Sequence, residues 1–210
     1  MRIALIHALR HSPPPIEAAF AEFWPEARLM NLLDDSLSAD LARDGALTPA
    51  MTERFLTLGR YARGTGADGV LFSCSAFGPC IEAVAADLAP IPVLKPNEAA
   101  IEEAVAQGRR IGLLATFPGT LASMPPEFPP GVEVVPCLAE GALAALDAGD
   151  AEAHDRLAAE AARKLAGCDV ILLGQFSLAR AARAVSATTG LPVVTTPGSA
   201  VRRLRALLGA

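Results

Sequence analysis

Two stretches of this sequence are variations on one pattern. "GADGVLFSCSAFGPCIEAV" starts at Gly66 and "GCDVILLGQFSLARAARAV" at Gly167, and each passes from a short turn through an apolar run into a helical pattern. Gly66-Ala67-Asp68 and Gly167-Cys168-Asp169 stand 101 residues apart, and Ile91-Pro92-Val93 and Leu191-Pro192-Val193 stand 100 apart. Arg2–Ile6 likewise resembles Arg110–Leu114 at an offset of 108. Three elements that keep nearly one offset predict a duplicated unit, so the chain is expected to fold as two similar halves. At the place where the first copy carries Cys74, the second carries Gln175.

The elements inside each copy are those of an α/β protein. Apolar runs rich in Ile, Val and Leu read as strands buried on both faces: Arg2–Ile6, Arg28–Leu32, Gly69–Ser73, Pro92–Leu94, Arg110–Ala115, Val132–Pro136, Val170–Gly174 and Pro192–Thr195. The clearest helical patterns between them are Thr52–Arg63, Ile81–Leu88, Glu98–Gln107, Ala151–Ala166, Leu178–Ala187 and Ser199–Leu208. Alternation of this kind predicts right-handed crossovers and mainly parallel sheets. The expected architecture is two pseudo-symmetric lobes, residues 1–106 and 107–210, each a mainly parallel sheet flanked by helices. The final helix is able to cross back to the first lobe, and the site is expected in a cleft between the lobes.

Composition narrows the partners. A formal charge of −5 gives no electrostatic reason to expect nucleic acid or an anionic membrane. Arg202, Arg203 and Arg205 read as the solvated face of a terminal helix. No secretory signal and no bilayer-length apolar run is visible, which predicts a cytoplasmic protein whose thiols stay reduced. Cys74, Cys80, Cys137 and Cys168 form no C-x-x-C pair and no zinc-like spacing with histidine, so no metal site is expected.

In open parallel sheets ligands bind beyond the carboxyl ends of the strands, and the residues there are the candidates. Cys74 follows an apolar strand and precedes a helix, whose N-terminal N–H groups are expected to lower the thiol's pKa and suit it to proton transfer or nucleophilic attack. A packed structural cysteine is the competing reading. Thr116 and Thr120, in "LLATFPGTLASM", read either as donors to a small anion or as ordinary helix caps. Lys95, Asn97 and Glu98, in "KPNEA", offer a cation for a carboxylate or a proton, a helix cap, and a dipole partner. His7 ends the first strand and can carry protons near neutrality, or serve only as a hydrogen-bonded residue; His11 follows in a loop. Cys80 reads as packed in the next helix, Cys168 lies at the far end of its strand, and Cys137 is the weaker candidate. Asp150, His154 and Asp155 read as a helix start with exposed first turns.

With these residues in view, the ordered set "LFSCSAFG", "GRRIGLLATFPGT", "ILLGQFSLA" and "LPVVTTPGSAV" resembles the aspartate/glutamate/hydantoin racemase superfamily over nearly the whole chain. That resemblance implies two pseudo-symmetric lobes and chemistry with no pyridoxal phosphate, other cofactor or metal. It implies two cysteines acting on opposite faces of a carbon next to a carboxylate. It makes Cys74 the first-lobe cysteine, with Ser75 and Ala76 cradling a carboxylate of a small acid. Thr116 and Thr120 would form the corresponding anion site in the second lobe, with Phe176 and Ser177 beside them, and a homodimer is in keeping with the relatives.

Gln175 departs from the pattern, because an amide does not titrate in the useful range. Lys95, His7, Glu98 or Ser177 would then handle protons on the second face. Alternatively Cys74 alone would protonate an enediolate left by decarboxylation, or would attack a double bond or carbonyl while Gln175 holds an oxygen. The leading expectation is a cofactor-independent racemase acting at the carbon next to a carboxylate. The alternatives are a single-cysteine decarboxylase or cis–trans isomerase of a small diacid, and a non-catalytic small-acid binding protein.

Overall fold

The computed structural model describes residues 1–210. It holds two four-stranded sheets, and every strand pairing in both is parallel. The first contains β1 (Arg2–His7), β2 (Arg28–Leu33), β3 (Gly69–Phe72) and β4 (Val93–Leu94), in the order β2-β1-β3-β4. The second contains β5 (Arg110–Ala115), β6 (Glu133–Leu138), β7 (Val170–Leu173) and β8 (Val193–Thr195), in the order β6-β5-β7-β8. The inner strands β3 and β7 are buried along their whole length, as continuous apolar runs require, whereas the edge strands β2 and β6 are partly exposed.

The repeat holds residue by residue. Ile3 pairs with Gly69 and Ile6 with Phe72; Ile111 pairs with Val170 and Leu114 with Leu173. Offsets of 108 on one strand and 101 on its neighbour therefore map one sheet onto the other. The repeated aspartates start both sheets. Asp68 accepts the Arg2 N–H at 2.7 Å, and Asp169 accepts the Arg109 and Arg110 N–H groups at 2.8 Å each. Their repetition is structural, since each carboxylate satisfies amides where a central strand begins.

The helices are α1 (Pro13–Phe23), α2 (Ser36–Asp44), α3 (Pro49–Gly64), α4 (Gly78–Leu88), α5 (Glu98–Gln107), α6 (Pro118–Ser123), α7 (Ala142–Asp147), α8 (Ala151–Ala162), α9 (Ala182–Thr189) and α10 (Thr196–Leu207). α3 and α10 start earlier than their sequence patterns, at Pro49 and Thr196. Pro79 lies in the first turn of α4 and Pro197 in that of α10, so both prolines belong to the helices. A first-turn proline loses no intrahelical bond, because that N–H has no partner in any case. The same reason lets Pro13, Pro14 and Pro15 open α1. No helix is long and apolar enough to cross a membrane.

The chain divides into two compact units, Met1–Pro96 with Ala200–Ala210, and Asn97–Ser199. The break thus lies at the start of α5, where the sequence reading placed it near 107. Ala100, Ile101 and Ala104 of α5 pack with Ile111, Leu113, Val170 and Leu172, which ties this helix to the second sheet. Ala200–Ala210 belongs to the first unit: Gly69 has no side chain where Leu204 and Leu208 approach β3. Arg202 lies 4.7 Å from the Phe23 ring centroid and Arg205 donates to the Phe23 carbonyl at 2.7 Å, so two of the terminal arginines are docked rather than merely solvated.

Candidate active site

Cys74 stands where β3 gives way to a tight turn, Ser75–Phe77, that leads into α4. It is half-buried and extended, with φ −129° and ψ 121°. With Ile6, Ala8, Leu37, Phe55, Phe72 and Phe77 it bounds an apolar crevice too tight to admit a water molecule. The backbone N–H of Ala76 favours the thiolate, but burial outweighs it and raises the thiol above its ordinary pKa. This corrects the expectation of a depressed pKa. The helix begins at Gly78, beyond the turn Ser75–Phe77, while the apolar neighbours of Cys74 penalise the thiolate. The resting group is a thiol, ready to give a proton before it can take one.

His7, at the end of β1, borders the same crevice, yet both its ring nitrogens are engaged. Nδ1 lies 2.9 Å from Ser73 Oγ and Nε2 lies 2.9 Å from Asn31 Oδ1, while Asn31 Nδ2 donates to Glu17 Oε1 at 2.7 Å. The direction of every bond follows from the first. A carboxylate only accepts, so the Asn31 amide turns its NH2 to Glu17 and its oxygen to His7. Nε2 then carries the proton, and Nδ1 accepts from the Ser73 hydroxyl. Burial lowers the pKa of His7, against opposing effects of Asn31 and Glu17, and the ring is neutral. His7 therefore anchors a chain of polar groups ending one residue before Cys74. Glu17, Asn31 and Ser73 were not singled out in the sequence, because only strand pairing brings them together.

The remaining candidates of the first unit lie near the start of α4. Ser75 is half-buried and Ala76 exposed. Lys95, just beyond β4, pairs with Glu82 of α4 at 2.8 Å. Above the crevice, Leu37 is the one buried residue of α2. Arg54 secures that helix from α3 through Asp34 at 2.6 Å and Asp40 at 2.5 Å.

In the second unit, register puts Gln175 in the place of Cys74, and Phe176 and Ser177 in the places of Ser75 and Ala76. Thr116 corresponds to Ala8, so Thr116 and Thr120 are not the counterparts of Ser75 and Ala76. The donors of Thr116 are already engaged. Its N–H reaches Gln175 Oε1 at 2.6 Å and its hydroxyl reaches the same oxygen at 3.0 Å. Thr120 is buried against Gly174, Phe176 is buried, and Ser177 is half-buried. Asn97 makes no capping bond to α5; its Nδ2 points to Glu127 Oε1 at 3.4 Å, and Glu98 is exposed in the first turn of that helix.

The other thiols are buried: Cys80 in α4, Cys137 with its sulfur on the Ala161 carbonyl at 3.3 Å, and Cys168. Asp150 caps α8 through the Ala153 N–H at 2.9 Å, but His154 is fully buried rather than on an exposed turn, its Nδ1 2.8 Å from Asp155. No group of three or more His, Cys, Asp or Glu side chains is placed to hold a metal ion.

The family model described as Asp/Glu/Hydantoin racemase matches residues 14–204. No curated protein matches the sequence. Among solved structures, allantoin racemase from Klebsiella pneumoniae aligns with a TM-score of 0.77 at 22% identity, over 100% of this chain and 88% of that one. Glutamate racemase from Francisella tularensis, in complex with D-glutamate, gives 0.72 at 15% over 99% and 81%. Aspartate racemase from Picrophilus torridus gives 0.73 at 10% over 99% and 94%. At these identities the likeness to the solved structures is one of fold.

Proposed function

This chain belongs to the Asp/Glu/hydantoin racemase family, and we propose that it moves a proton at the carbon next to a carboxylate or related carbonyl of a small acid, without a cofactor and with Cys74 as the acid and base. The observation that carries this reading is the position of Cys74, half-buried just beyond the carboxyl end of the central strand β3. To act as a base the thiol first surrenders its proton to solvent; the thiolate then takes a proton from carbon, and the C–H electron pair moves onto the neighbouring oxygen. To act as an acid it returns the proton to that carbon. Neutral donors at the strand ends favour the intermediate by holding its oxygen.

A second reading is favoured by the raised pKa of Cys74 and by Gln175 at the equivalent position. A protonated thiol facing an enediolate left by loss of carbon dioxide needs no second titrating group. One experiment separates the readings. Aspartate, glutamate, allantoin, 5-substituted hydantoins and an arylmalonate are incubated in D2O and followed by NMR. Exchange of the α-hydrogen without loss of carbon, lowered about 10²–10⁴-fold in Cys74→Ala, is the expected result. Gas release from the malonate alone establishes the decarboxylase reading. Undiminished turnover in Cys74→Ala sinks both, and binding with no chemistry on any of these compounds would leave a small-acid binding protein.

A further inference from the structure

Gln175 is the most specific departure of this chain from a two-thiol arrangement, and its surroundings decide what it offers. A backbone N–H can only donate, so the Gln175 atom 2.6 Å from Thr116 N is the amide oxygen and not its nitrogen. The Thr116 hydroxyl, 3.0 Å from the same oxygen, donates as well, because a carbonyl oxygen accepts. Two donors from one buried residue converge on one atom and fix the plane of the amide. Its NH2 therefore lies on the side away from Thr116, on a side chain that is itself half-buried. The first unit has no such anchor. Ala8 stands in register with Thr116 and carries no side-chain donor, so the thiol at position 74 is not held in this way.

We propose that Thr116 is a positioning residue whose paired bonds hold the Gln175 oxygen inward, so that the amide NH2 is presented as a fixed hydrogen-bond donor to an acceptor oxygen of the ligand, a carboxylate or a carbonyl. The amide thereby offers polarisation where a cysteine would offer a proton. A prealigned neutral donor strengthens as negative charge grows on the oxygen it faces and does not itself ionise. The inference rests on the proposed small-acid reading for the class of its ligand.

The test follows the Gln175 side-chain NH2 and the Thr116 amide by NMR in 15N-labelled protein, with malonate as the probe and Gln175→Met to assign the signals. In the free protein the NH2 pair is expected to be dispersed. Thr116→Val, which removes the hydroxyl, should move it toward the signals of an unrestrained amide, and Thr116→Ser should restore it. Malonate should shift the NH2 pair and leave the Thr116 N–H in place, and Gln175→Glu should weaken malonate binding about tenfold or more, because an acceptor replaces the donor. A Thr116 N–H that shifts as far as the NH2 pair would mean that the anion displaces the amide oxygen, and overturns the proposal. So does an NH2 pair indifferent to malonate. These readouts need no turnover: a responsive amide with no exchange chemistry rejects the role of Cys74 alone, and the reverse result rejects the role of Gln175 alone.

Discussion

His7 shows how much one side chain depends on its partners. Its imidazole is buried and neutral, the proton on Nε2 directed to Asn31 and the lone pair on Nδ1 receiving Ser73. A base whose folded pKa lies below the ordinary value of 6.5 supports folding fully above that value. As pH falls the unfolded chain takes up the proton first, and the contribution is lost until the folded ring is protonated too. The stability of the protein should therefore fall with pH below about 6.5, by at most about 1.4 kcal/mol per pH unit from this residue. His7→Gln should flatten the slope, as read from urea midpoints between about pH 5 and 7. Equal slopes in the two proteins would show that His7 is not the group responsible. The contrast with Cys74 explains what a sequence discloses at this scale. Cys74 and Gln175 stand out because the repeat aligns them. The Glu17–Asn31–His7–Ser73 chain does not, because it joins α1, β2, β1 and the end of β3, and pairing partners on separate elements leave no trace in local spacing.

At the scale of elements, the strands and their direction follow from apolar runs separated by helical patterns, and the offsets of the repeat become registers. Helix starts were less legible. The prolines of α1, α4 and α10 mark ends of structure in a sequence but sit inside first turns, where they remove no bond. At the candidate site α4 begins at Gly78, after the short turn Ser75–Phe77 that follows Cys74. That helix is held from behind by α3, through Gly59. A Cβ at Gly59 would stand 2.5 Å from Val84 Cγ1, and the branched valine has little freedom to turn away. Gly59→Ala should gain about 1 kcal/mol of helix propensity and lose more to overpacking, for a net destabilisation of about 1–2 kcal/mol. Chemical denaturation measures the sum. An unchanged or raised midpoint would mean that α3 and α4 part easily. If the contact matters to Cys74, its alkylation rate changes as well.

The whole molecule is less separable than a simple duplication suggests. The sequence reading divides the chain near 107, but contacts divide it at 96 and again at 199, so the first unit is built from both ends of the numbering. A repeat reveals similar elements; which sheet a connecting helix packs on depends on tertiary contacts, such as those of Ile101 with Leu172 or of Leu204 with Gly69. A chain ending at Ser199 loses the buried side chains of Ala200, Val201 and Leu204. Two fully buried residues of the Val and Leu kind contribute about 3–6 kcal/mol, a large part of the 5–15 kcal/mol typical of a domain. Hydrogen exchange in this truncated chain should be fast in β1 and β3 and slow in β5 and β7. Uniform protection of both sheets would show that α10 is dispensable.

The order of assembly during synthesis follows from the same interleaving. Residues 1–96 leave the ribosome first, but Leu204 and Leu208, which pack over Gly69, are translated only after the intervening 97–199. At about 5–20 residues per second, that gap lasts roughly 5–20 s. Throughout it β3 lacks the leucines that pack on it at Gly69, while the unit made second has every segment it needs and is free to finish ahead of the one begun before it.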